Sequence, residues 1–89
     1  MLFDWMAPLP LEERAVYALV YQVTVRGNGY WGTIAAMAQR LGMTKAECRA
    51  ALDSLLQKGA IRKTRQTIMQ QERNVFVADE NFAAKLKFA

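Results

Sequence analysis

Apolar residues recur at helical spacing in four stretches of the chain and at strand spacing in one. In the first stretch Val16, Leu19, Val20 and Val23 share one face of a helix expected from about Leu11 to Arg26. Ala15 lies beside that stripe, and Tyr17, Tyr21 and Thr24 fall on an adjoining face, suited to packing on the amino-terminal arm. Pro10 suits the first turn, Glu12 and Glu13 favour its positive end, and Gly27-Asn28-Gly29 stops it. The second stretch places Ile34, Met37, Ala38 and Leu41 on one face and closes at Gly42. The third carries Cys48, Ala51, Leu52, Leu55 and Leu56 and stops at Lys58-Gly59, with the cation at the negative helix end. Thr33 and Thr44 are the expected N-caps, and Glu47, three residues after Thr44, completes a capping box. The fourth, from Asp79 to Ala89, reads as a short helix capped by Asp79, with Phe82, Leu86 and Phe88 to bury.

After Gly59 the period changes. Thr, Ile, Val and Phe become common, Gly and Pro are absent, and two polar-apolar runs are separated by Gln70 to Arg73. This predicts an antiparallel hairpin, with a strand from about Ile61 to Met69 and a return from about Asn74 to Ala78. The turn lacks an Asn-Gly pair, so its type is not predictable. Tyr30-Trp31-Gly32 reads as a short extended link, with Trp31 a core plug beneath the helices. The opening MLFDWMAPLP has large apolar residues at Leu2, Phe3, Trp5 and Met6; it is either an arm folded over the core or an oligomer contact.

A short helix, a tight turn and a longer helix make a helix-turn-helix, whose second helix can enter the major groove. An ordinary helical hairpin in a small all-α domain would show the same caps and stripes. The hairpin that follows Gly59 decides between them. The expected fold is α+β, mostly α: a winged helix-turn-helix with a three-helix core, a β-hairpin wing and an extra C-terminal helix. The expected division is an apolar arm over residues 1–10, the winged domain over 11–78 and the last helix over 79–89.

Three runs carry a family resemblance: Trp31-Gly32-Thr33-Ile34, then Ala38-Gln39-Arg40-Leu41-Gly42-Met43-Thr44-Lys45, then Ala51 through Ile61, ALDSLLQKGAI. Together they resemble bacterial and phage members of the winged helix-turn-helix superfamily. The pattern is most similar to the amino-terminal domain of phage and plasmid replication proteins, including the DnaD-like primosomal group, and small transcriptional regulators share it. The resemblance covers about Leu9 to Ala78. It implies binding of double-stranded DNA, in replication initiation or transcriptional regulation. The chain departs from the pattern on the exposed face of the second motif helix, where Ala46, Ala50, Glu47 and Asp53 dilute Lys45, Arg49 and Gln57.

Charge sharpens this picture. The 89 residues carry a formal charge of +4 and a pI near 9.6. From Arg40 to Arg73 there are eight bases and three acids, a balance of +5; the rest has four bases and five acids, a balance of −1. The candidate DNA-binding residues are therefore Thr33, Gln39, Arg40, Thr44, Lys45, Arg49, Arg62, Lys63, Arg65 and Arg73. Lys45 and Arg49 would reach phosphates or a guanine edge, and Thr33 and Thr44 mark helix ends whose amides can meet a phosphate. The alternative is a protein-protein assembly module with this fold and no strong DNA binding. The apolar ends suggest a homodimer in either case, and a replication or transcription protein is a further candidate partner.

The chain has no histidine, one cysteine and no Gly-rich phosphate loop, so nothing in it supports an enzyme, a metal site or a cofactor. A single cysteine excludes an intrachain disulfide, and Cys48 reads as a small core residue. No leader and no run long enough to cross a membrane is evident, so a cytoplasmic location is expected.

Overall fold

A computed structural model of the protein describes residues 6–87. The element order is α1 (Leu11–Arg26), α2 (Ile34–Leu41), α3 (Lys45–Lys58), β1 (Ile61–Ile68), β2 (Gln71–Ala78) and α4 (Glu80–Lys87). Four helices and one antiparallel hairpin make an α+β fold, mostly helical: a winged helix-turn-helix with an added last helix. Leu2, Phe3 and Trp5 of the expected arm, and Phe88, lie outside the described residues. Met6 and Leu9 are buried in the core.

The helix-turn-helix is built by its termini. The Thr33 hydroxyl accepts from the Ala36 amide at 3.0 Å and starts α2. Gly42 ends it at φ +70°, where its own N–H reaches the Gln39 carbonyl and the Met43 N–H reaches Ala38. This is a Schellman motif, and it recurs at Gly59, with bonds to Leu56 and, from Ala60, to Leu55. At Thr44 the capping box closes in both directions, at 3.1 Å from the Glu47 amide and 2.9 Å to the Glu47 carboxylate. Asp79 caps α4 through the Phe82 amide at 2.9 Å.

The core joins Val16, Val20, Met37, Cys48, Leu52, Leu55 and Ile61. Tyr17 lies in one buried cluster with Met6 and Leu9, and residues 1–5 of the arm on which it was expected to pack lie outside the described residues. Tyr17 is fully buried, and its ring meets Phe82 of α4 edge-on at 5.7 Å as well as Tyr21 at 6.1 Å. The helix α1 is enclosed: Val16, Tyr17, Ala18, Leu19 and Val20 are all buried, with α2, α3, β2 and α4 packed around it. Burial pushes the Tyr17 phenol and the Cys48 thiol above their usual ranges.

The hairpin is longer and tighter than expected. Ile61 pairs with Ala78 and Ile68 with Gln71, so only Met69 and Gln70 make the connection. Residues read as part of the turn, Gln71 to Arg73, belong to β2. Met69 at φ 53° and Gln70 at φ 65° are both left-handed, the signature of a type I′ turn made without its preferred residues. A third strand position is present at Tyr30, whose N–H and C=O both pair with Phe76 at 2.8 Å. That bridge brings Gly29, at φ +110°, against β2; a Cβ there would lie 2.5 Å from the Phe76 carbonyl oxygen.

Two outcomes follow for urea denaturation. Gly29→Ala is expected to lose about 3 kcal/mol through strain and collision with β2, whereas Gly42→Ala, with open space around it, loses about 1 kcal/mol. Replacing Met69-Gln70 by Asn-Gly should raise stability by about 1 kcal/mol, because Asn and Gly adopt the left-handed pair readily.

Candidate nucleic-acid interface

The structure spreads the ten candidate residues over four elements, α2, α3, β1 and β2, and two helix starts. Gln39 and Arg40 are exposed on α2, and Lys45 and Arg49 are exposed one turn apart on α3. Helical spacing sets the outermost ridge of α3 as Ala46, Ala50, Asp53 and Gln57, all exposed. Lys45 and Arg49 flank this ridge on the edge turned away from α1. The opposite edge is acidic: Glu12 and Glu13 of α1 border a shallow groove with Glu47, Ala50 and Ala51. Lys58, on that same edge, is ion-paired with Glu13. The second motif helix therefore has a basic and an acidic flank on either side of a nearly uncharged ridge.

The two helix starts differ. At Thr44 the amides of Thr44 and Glu47 are already bonded, and the Glu47 carboxylate sits over the first turn. That carboxylate answers the positive helix end before any phosphate could, and the backbone hydrogen bond from Thr44 holds the Glu47 carboxyl below the usual range. At Thr33 the hydroxyl is the cap and the first turn holds no acid. Of the two, the start of α2 is the more open to an anion.

The wing divides its bases between faces. Strand alternation puts Lys63 and Arg65 on one face, together with Thr67, Asn74 and Glu72. Arg62 and Arg73 point to the other. Arg62 reaches Asp79 at 3.5 Å, and Arg65 reaches Glu72 at 2.9 Å. Among the described residues Lys45, Arg49 and Lys63 have no ion pair. Arg73 is half-buried, with its guanidinium 4.9 Å from the centre of the Trp31 ring and bonded to Gln71 at 2.9 Å. Trp31 is thus not the expected core plug. It is 39% exposed and stacked under a wing arginine, because the Tyr30 bridge lays the loop before α2 against β2.

The sequence reading missed Thr67 and Asn74, which share the exposed wing face with Lys63 and Arg65. Alternation would have placed them, but only with the register known, and the register rests on a two-residue turn with no local signature. Among the described residues no cluster of acids and cysteine could hold a metal, and no helix is long and apolar enough to cross a membrane.

No protein-family model matches the chain, and no curated protein matches it. Among solved structures it is similar to a possible transcriptional regulator from Methanosarcina mazei Go1, with a TM-score of 0.59 over 91% of this chain. Identity is 11%, so the likeness is one of fold, and this chain spans 66% of that protein's length.

The capping box makes a pH prediction. The Glu47 carboxyl titrates below its ordinary 4.5 in the folded chain. Its contribution is therefore complete at neutral pH and is lost as pH falls through that lowered value. Thermal melts at pH 7 and pH 3 should show a smaller acid-induced loss for Glu47→Gln than for the unsubstituted protein. Equal losses would mean the carboxylate does not cap α3.

Proposed function

We propose that the chain is a DNA-binding module that engages duplex DNA through α3 and the wing, in transcriptional regulation or replication initiation. The observation that carries this reading is the placement of exposed bases without ion pairs among the described residues, Lys45 and Arg49 on α3 and Lys63 on the wing, within the part of the chain that holds all the excess positive charge. Lys45 and Arg49 take phosphates along one wall of the major groove, while Gln57 and the small Ala46 and Ala50 allow the helix ridge to come close to base edges. Thr33 and the open start of α2 meet a phosphate, with Gln39 and Arg40 beside it. Lys63 and Arg65 follow the backbone from the wing, and Arg62 adds charge at its root. Thr44 serves α3 as its cap.

The regulator-like fold of the archaeal protein supports a transcriptional role; the resemblance to DnaD-like replication domains supports the other. Two copies would present two such helices to paired half-sites. The reading assigns no catalytic step and no cofactor. A second reading, a protein-assembly module, is favoured by Asp53 on the outer ridge of α3 and by the acids along its α1 edge.

Fluorescence anisotropy with a labelled random duplex at several salt concentrations separates them. The DNA reading expects binding that weakens steeply with salt, and a log–log slope that falls by about 2 when Lys45 and Arg49 are both replaced by Ala. Absence of binding at low salt would move the assembly reading to first place. An unchanged slope would remove the α3 assignment. Sedimentation equilibrium at high protein concentration tests the homodimer, which a strict monomer excludes.

A further inference from the structure

The loop between α1 and α2 does more than connect them. It is fastened to the wing by three contacts at two heights: by the Tyr30–Phe76 bridge nearer the root and, at the Gln66–Arg73 pair, by the Gln66 amide to the Asn28 carbonyl at 3.4 Å and by Arg73 over Trp31. The same loop is fastened to the helix-turn-helix. Trp31 stands two residues before the cap of α2, and the Tyr30 hydroxyl donates to the Thr33 carbonyl at 2.9 Å. Trp31 therefore lies at the joint between the two parts that the duplex-binding reading uses together.

We propose that the Arg73–Trp31 stack sets the attitude of the wing against α2 and α3, and that Arg73 is a positioning residue in place of a phosphate contact. The geometry supports each half. The Gln71 side-chain carbonyl accepts from the guanidinium on one side, and the Arg73 Nε has no hydrogen-bond partner among the described residues, as fits a cation laid on a ring face. Lys63 and Arg65 occupy the opposite face of the hairpin, so Arg73 cannot join them on one backbone without leaving Trp31. The wing tip beyond the stack has no other restraint from the loop among the described residues, and Met69 there is 77% exposed.

This inference rests on the duplex-binding reading for its effect on affinity, and stands without it for its effect on the free protein. Both are measured. In free protein, 15N relaxation of the amides from Ile68 to Arg73 should show greater fast motion in Trp31→Ala than in the unsubstituted chain. Trp31→Phe, which keeps a ring under the cation, should restore order. In duplex binding, Trp31→Ala and Arg73→Gln should each weaken affinity roughly five-fold, and together no further, with the salt slope set by the remaining bases unchanged.

Three results would overturn the proposal. One is equal wing order in Trp31→Ala and the unsubstituted protein. Another is undiminished affinity in Trp31→Ala. The third is a slope lowered by about 1 in Arg73→Gln, which would make Arg73 a phosphate contact. If the unsubstituted protein bound no duplex, the functional reading would fall and the relaxation arm alone would decide the clamp. Melting curves for each variant separate loss of wing attitude from loss of the fold.

Discussion

Burial of one helical segment from every side is the constraint on which this fold rests. Val16 to Val20 of α1 are enclosed by α2, α3, β2 and α4, so this helix cannot keep the usual polar back. Its polar atoms are handled locally. Thr24, one turn beyond, donates to the Val20 carbonyl at 2.7 Å and accepts the Ala78 amide at 3.0 Å. One hydroxyl thereby satisfies the end of β2 and ties the root of the wing to the central helix. With α1 fixed, α3 is held with its inner residues Cys48, Ala51, Leu52 and Leu55 buried and its ridge outward.

The exposed surface follows from that arrangement more than from composition. A net charge of +4 is modest. It becomes a candidate footprint because acids and bases are sorted, with Glu12, Glu13 and Glu47 along one edge of α3 and Lys45 and Arg49 along the other. Pairing also subtracts from the wing: Arg65 faces Glu72 and Arg62 faces Asp79, while Lys63 stands clear among the described residues. Counting bases along a sequence overstates what a polyanion would meet.

Legibility in the sequence tracked distance along the chain. Thr33, Thr44 with Glu47, Gly42 and Gly59 act within a few residues of themselves, so the helix ends were readable, and with them the helix-turn-helix and the α+β class. Full burial of Tyr17 was not legible, because enclosure of α1 is a property of its neighbours and stripe spacing reports only one face. Trp31 and Arg73 lie far apart in sequence and meet only once the Tyr30 bridge and the hairpin register are known. The turn was unreadable for the opposite reason: Met69 and Gln70 take a conformation that their side chains do not favour. Candidate residues were thus found as a list, but their division between two faces of the wing was a matter of pairing.

The buried position of the single cysteine bears on how such a molecule can be handled. Cys48 is fully enclosed within α3 and its thiol is pushed up by burial, so maleimides and other thiol reagents will meet an inert group in the native chain. A cysteine introduced at exposed Gln57 or Thr67 becomes the one reactive handle. Dyes or spin labels can then be attached to the helix ridge or to the hairpin with the native cysteine left in place, and the core need not be repacked to make the protein labellable.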